Sequence, residues 1–231
     1  MTGWWSYSLR DLLMFSPHTY YRLFELYNFE LWPLQIFALA LGVAVLLLGR
    51  RRGDIAGRVL AVILALCWLW VAWAYHWQRY ANINWAARYY ALAFAFEALL
   101  LLWLGVVRGR FTVAAAGSVR QRIGLLLFMF AWLCFPLIGP LLGRSWSQAE
   151  IFGMAPDPTA LATLGILLFS GVRPLWWLFP LPVAWCLISG ATLWAMDSPD
   201  FVIAPLVALL ATGLAISSAI FPAGYCSQKD L

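Results

Sequence analysis

The sequence predicts an all-α, polytopic membrane bundle of about seven spans, and three observations carry that reading. Of 231 residues, 64% are hydrophobic and only 11% are charged, with a mean hydropathy of +0.82, whereas soluble domains carry about 25% charged residues. The apolar residues fall in runs of bilayer-spanning length separated by short polar turns. The charges sit in those turns, and Lys229 is the single lysine, so a net charge of +5 is almost wholly arginine. Short arginine-bearing loops between apolar runs are a topology signal; nucleic-acid binding is not expected from them. Four cysteines, Cys67, Cys134, Cys186 and Cys226, show no C-x-x-C spacing, which argues against a disulfide framework or a zinc site.

Residues 1–32 read as interfacial amphipathic helices, 33–222 as the spanning bundle and 223–231 as a cytoplasmic tail. The first segment, residues 4–15, is too short and polar to span, and Trp4, Trp5 and Tyr7 suit the headgroup level. Arg10 and Asp11 interrupt it, so no signal peptide is expected. Ser16-Pro17 reads as an N-cap followed by the first helical residue. From there Tyr20, Leu23, Phe24, Tyr27 and Leu31 form one apolar stripe at helical spacing. Trp32-Pro33 marks the bend into the membrane. The expected spans are 33–49, 58–79, 86–107, 122–142, 158–172, 174–195 and 201–221.

Loop charge orients the bundle. Ten basic residues (Arg50, Arg51, Arg52, Arg58, Arg108, Arg110, Arg120, Arg122, Arg173, Lys229) fall on one side and five (Arg10, Arg22, Arg79, Arg88, Arg144) on the other. The richer side is expected to be cytoplasmic, with the N-terminus out and the C-terminus in. Asp11, Glu25, Glu30, Glu150, Asp157, Asp197 and Asp200, with His18 and His76, then lie outside, so any chemistry is expected at the outer end.

Three constellations stand out. Glu97 lies eleven residues beyond Ala86, roughly 16 Å into the bilayer. It is either a cation- or proton-accepting carboxylate or a structural group bonded to a neighbouring helix. Arg88, about 180° around the same helix, is a poor partner for it. His76, with Tyr75, Gln78, Asn82, Asn84 and Arg88, forms a polar aromatic turn, read either as a binding mouth or as helix caps among interfacial rings. Trp70, Trp73 and Trp77 line one helix face, a pattern that more often packs against another helix than lines a slot. In residues 135–159, Pro136, Pro140, Gly139 and Gly143 interrupt the fourth span. Asp157-Pro158 then reads as N-cap and first residue of a short fifth span, beside either a recessed non-helical stretch or a loop filled by protein. In the sixth span, Ser189 and Thr192 could satisfy backbone groups freed by Pro180 and Pro182.

No G-x-S-x-G, H-E-x-x-H, Walker or Rossmann pattern occurs, and no lysine lies in a span to carry a Schiff base. No cofactor is expected. His18 and His76 are the weak candidates for a metal or haem, but His18 precedes the first span and His76 ends the second.

FSPHTYYRLFELYN with LWPLQ, YHWQRYANINWAARYYALAFAFEALLLL, and FPLIGPLLGRSWSQAEIFGMAPDPTALATLGILL together resemble an uncharacterised family of bacterial multi-span membrane proteins, the domain of unknown function 6064. The matching positions include His76, the Asn84 region, Pro136 to Gly139, Phe152-Gly153, Pro156, Pro158 and Thr159. The chain departs from the pattern at Arg144, where the family tends to have histidine, and at Asp157, where it tends to have cysteine. The resemblance implies a bacterial cytoplasmic membrane protein but no activity. The sequence thus points to an outward polar pocket of His76, Asn82, Asn84, Arg88, Glu97, Arg144, Asp157 and Thr159 that binds or passes a small solute or ion. The alternative is a non-catalytic accessory subunit packing through tryptophan-rich faces against other subunits, lipid or pigment. A lipid-headgroup enzyme is a more distant third.

Overall fold

The computed structural model describes residues 15–51, 53–113, 117–170 and 175–220. Within them the chain is helical, without strands; a lone antiparallel bridge joins Gly53 to Val113. The helices are α1 (Pro17–Glu30), α2 (Leu34–Arg50), α3 (Asp54–Asn82), α4 (Ala87–Val107), α5 (Val119–Leu141), α6 (Pro156–Phe169), α7 (Trp176–Ala195) and α8 (Ile203–Ile220). Five of them, α3, α4, α5, α7 and α8, are long and apolar enough to cross a membrane. The pair α1 and α2 passes the same test together but is bent by 89°. The first interfacial segment and the tail fall outside the described residues, as do Arg52, Arg173 and Lys229.

Helix α1 begins as its sequence dictates: the Ser16 hydroxyl accepts from the Thr19 amide, and Pro17 occupies the first turn. Tyr20, Phe24 and Tyr27 of its stripe are buried. Phe24 stacks on Tyr75 with centroids 5.0 Å apart, and the Tyr27 hydroxyl donates to the Met154 carbonyl at 2.9 Å. The bend at Trp32-Pro33 then turns the chain into α2, which buries Gln35, Ala38, Gly42 and Val45 and leaves Ile36, Phe37, Val43 and Leu47 outward.

Helix α6 occupies the centre, with all fourteen of its residues buried. It crosses α5 with the backbones almost touching. A Cβ at Gly124 would lie 2.7 Å from the Gly165 carbonyl oxygen, and one at Gly165 would lie 2.6 Å from the Phe128 nitrogen. Small residues at such a crossing let two helices approach where no hydrophobic drive separates protein from lipid. Helix α6 starts two residues earlier than the sequence suggested. Ala155 is the N-cap, and Asp157 lies inside the first turn, because its carboxyl is drawn to α7 rather than back to its own amides. The preceding Ile151–Ala155 stretch is the protein-filled alternative: Phe152, Met154 and Ala155 are buried. Gly153 turns there at φ +81° and donates its amide to the Thr159 hydroxyl at 2.9 Å.

Three long helices contain π-helical turns, at Val71–Trp77, Leu102–Val107 and Phe130–Cys134. The first of these holds two members of the tryptophan stripe, Trp73 and Trp77. Trp70 packs on the core and donates to the Tyr27 hydroxyl at 3.0 Å, whereas Trp73 and Trp77 are 57% and 48% exposed, so the stripe packs inward at one end and faces outward at the other. The wider turn rotates the residues beyond it relative to an α-helical projection.

The two ends of the bundle differ in chemistry. At one end gather the Arg79–Glu30 pair, the Arg144–Asp200 pair and the Tyr21–Ser198 hydrogen bond. At the other, Gly57 presses on the Phe111 carbonyl, and the Arg58 guanidinium lies close to Gly109.

Candidate functional site: a carboxylate and imidazole layer walled by aromatic rings

The π turn in α3 brings Tyr75 and its neighbour His76 both inward, each fully buried. Successive residues on an α-helix point about 100° apart, so burying both completely needs packing from two sides. The His76 ring has Phe94 at 4.5 Å, Trp185 at 4.8 Å, Tyr75 at 5.2 Å, Tyr90 at 5.9 Å and Tyr80 at 6.0 Å. Neither ring nitrogen has a hydrogen-bond partner.

Trp185 joins this cage to a buried carboxyl. Its indole N–H donates to Asp157 Oδ1 at 2.7 Å, and the Ser189 hydroxyl donates to Oδ2 at 2.5 Å. Both oxygens of a fully buried Asp157 are therefore engaged by one face of α7, from residues four apart in sequence. Ser189 does not serve the freed backbone, as its position had suggested. Nor does Thr192, whose hydroxyl bonds to the Ile188 carbonyl at 2.8 Å, away from the Trp176 and Leu178 carbonyls that Pro180 and Pro182 cannot donate to. Thr159 likewise donates to the Ala155 carbonyl at 2.6 Å, closing the turn that positions Asp157.

Glu150 lies in the field of this layer. Burial, then the Asp157 carboxyl, pushes its carboxyl well above the usual glutamate range, while Arg144 pulls the other way. Its Oε2 is buried without a partner. Arg144 donates to Asp200 Oδ2 at 2.5 Å, and its guanidinium lies 4.5 Å over the Tyr21 ring. Ser198 completes the assembly by donating to Asp200 Oδ1 at 2.6 Å. Burial disfavours the Arg144 charge, but the Asp200 carboxylate more than restores it. Arg144 and Asp157 thus act with opposite sign on Glu150.

Deeper in the bundle, Glu97 follows Phe94 by about one turn of α4. It is fully buried, and neither carboxylate oxygen has a partner. Trp68 tilts against Phe94 at 4.3 Å and donates its N–H to the Thr163 hydroxyl at 2.9 Å. From the end that holds the Arg144–Asp200 pair, the order is the Glu150 and Asp157 carboxyls, the His76 cage, and then Glu97.

The eight residues expected to share one pocket are divided among several places. His76, Asp157, Thr159 and Glu97 are buried together with the core. Asn82 donates to the Gln78 carbonyl at 3.0 Å and lines a 730 Å³ groove with His18, Arg22, Glu30 and Arg79. Asn84 accepts from the Ala86 amide at 2.9 Å, a turn-closing bond. Arg88 is exposed, 5.7 Å over the Trp77 ring. Arg144 borders a separate 230 Å³ recess beside Tyr21 and Ser198. His18 is exposed and lines the same groove as Asn82, while His76 is sealed in the core. Among the described residues no group of three or more His, Cys, Asp or Glu side chains is placed to hold a metal.

Trp185, Ser189 and Glu150 were missed as site residues. The one available signal was the i, i+4 spacing of Trp185 and Ser189 in a span already interrupted by proline.

The architecture defines an all-helical protein with several helices long and apolar enough to span a membrane and a sealed polar layer near one end. The chain belongs to the family of unknown function DUF6064, which it matches over residues 18–222. No curated protein and no solved structure matches it.

Proposed function

We propose that this is a multi-pass protein of the bacterial cytoplasmic membrane, with its N-terminus outside. In this reading it binds or passes a small ion through the carboxylate and imidazole layer. The observation that carries it is Glu97, fully buried with both oxygens uncommitted. Such a group is costly in a bilayer interior, and where it persists it marks ion pathways. His76 and Glu150 also hold uncommitted polar atoms above it, and aromatic rings fill the space between. That filling favours a proton or small cation over a bulky solute.

Reconstitution into liposomes holding a pH- or cation-sensitive dye tests the reading. Under an imposed gradient the wild type is expected to exceed protein-free liposomes, and Glu97→Gln to lower the flux at least tenfold while keeping a monodisperse elution profile. No wild-type flux of H⁺, Na⁺ or K⁺, or full flux in Glu97→Gln, would overturn it.

A second reading, an accessory subunit of a larger membrane complex, is favoured by the outward Trp73 and Trp77 face. Co-purification of stoichiometric partners in mild detergent, lost on replacing both tryptophans by leucine, would support that alternative.

A further inference from the structure

Between α1 and the end of α3 runs the 730 Å³ groove that holds Asn82. This volume falls within the range of small-molecule sites, and charged groups of both signs are open to it. Arg22 and Glu30 both line the groove, with side chains 51% and 58% exposed. They stand eight residues apart on α1, about 12 Å along its axis. Arg79 fixes the Glu30 end. Its guanidinium lies 4.7 Å over the Tyr27 ring, and it donates to the Ala74 carbonyl at 2.7 Å and to Glu30 Oε2 at 2.6 Å. Arg22 pairs in turn with Glu25. Leu23 and Leu26, between the two charged positions on α1, and Trp73 from α3 give the groove an apolar wall, and Leu26 and Trp73 are exposed.

We propose that this groove binds a glycerophospholipid whose headgroup carries a primary ammonium, of the phosphatidylethanolamine class. Its phosphate accepts from Arg22, its ammonium donates to Glu30, and its glycerol end lies on Leu26 and Trp73. The charges of Arg22, Glu25, Glu30 and Arg79 sum to zero. An anion that took either arginine would leave a carboxylate without its partner, and a cation on Glu30 would do the same to Arg79. A ligand of both signs replaces each partner that it displaces, and an unpaired charge costs most where water is partly excluded. A phosphate and an ammonium two carbons apart, with one hydrogen bond at each end, bridge the separation of Arg22 and Glu30 once the two side chains lean together. A primary ammonium offers N–H donors to the carboxylate, whereas a trimethylammonium has none. The Trp73 indole suits the interfacial level at which a glycerol backbone sits. The site is separate from the ion layer and rests on the membrane placement proposed above, not on ion passage.

Native mass spectrometry of the full chain, released from nanodiscs of equal parts dioleoyl phosphatidylethanolamine, phosphatidylcholine and phosphatidylglycerol, reads which lipids stay bound. Phosphatidylethanolamine should be retained about tenfold over either other lipid, as one charge-assisted hydrogen bond allows. Glu30→Gln should bring it down to the level of phosphatidylcholine, and Arg22→Gln should lower the retention of all three. Both side chains are exposed, so neither change should disturb the fold. In a second arm, an excess of glycerophosphoethanolamine, the same headgroup without acyl chains, should not displace the bound lipid. Equal retention of the three lipids would overturn the proposal, as would an ethanolamine preference that survives Glu30→Gln or displacement by the soluble headgroup. Even retention would overturn this site alone, whereas a chain that enters no nanodisc would overturn the membrane placement with it.

Discussion

Helices α6 and α8 are both apolar, yet they solve opposite problems. Every residue of the fourteen-residue α6 is buried. In the eighteen-residue α8 only Ala204, Ala208, Ala211 and Ala215 are, while Leu206, Leu209 and Ile220 stand at 60% exposure or more. Apolar composition says that a helix avoids water. It does not say whether protein or lipid replaces the water. A helix enclosed by protein can be short, roughly 21 Å here, and can carry Asp157, Thr159 and Thr163, because partners on other helices or its own turns satisfy them. A peripheral helix has no such neighbours on its outer face. Its Thr212 and Ser218 hydroxyls therefore bond back to carbonyls of their own helix.

Glycine substitutions give the sharpest way to break this comparison. Gly165→Leu in α6 would drive a side chain into the α5 backbone. Overpacking at a backbone crossing exceeds the usual 1–3 kcal/mol, so the expected outcome is loss of the monodisperse peak in detergent chromatography. A folded, wild-type-like Gly165→Leu would show that α6 is not clamped as described.

A smaller effect should come from Glu150, at the entrance to α6. Its carboxyl is held well above the ordinary value of 4.5, so the folded state binds this proton more tightly than the unfolded chain. The stability it contributes is complete below about pH 4.5 and is lost as pH rises through the folded-state value. The unfolding temperature in detergent should therefore fall as pH is raised from mild acid, and Glu150→Gln should flatten that component. An unchanged pH profile in Glu150→Gln would remove Glu150 from the buried layer.

The smallest effect sharpens the contrast from the α8 side. Nothing lies within 4 Å of a Cβ built at Gly213, so Gly213→Ala should be neutral or stabilise by up to about 1 kcal/mol. A marked loss of melting temperature there would mean that another chain covers this face, which would favour the accessory-subunit reading.

Much of the scaffold was legible because its signals are local. The Ser16-Pro17 start, the Tyr20, Phe24 and Tyr27 stripe and the bend at Trp32-Pro33 all depend on residues within a few turns of one another. Family membership was legible for a similar reason, from continuous phrases around His76 and Pro156. The site was only partly so. His76, Glu97 and Asp157 were conspicuous as polar residues in apolar surroundings, but Asn82, Asn84 and Arg88 were equally conspicuous and serve the turn and surface instead. Polarity alone does not distinguish a side chain that faces inward from one that closes a turn. The packing of Phe94 and Trp185 around His76, which decides this for it, has no mark in the hydropathy of α3.

By itself, the sequence determined that the chain is helical and apolar, where its helices bend, and that its charges divide between two ends. Those properties follow from hydrophobic period, capping chemistry and charge placement along the chain. Only the tertiary structure decided that Asp157 meets Trp185 and Ser189, that α6 is central and α8 peripheral, and that Glu97 stays without a partner. Such pairings depend on how closely backbones cross at Gly124 and Gly165 and on how far a π turn rotates the residues beyond it. Both are relations between helices, which no stretch of a single helix encodes.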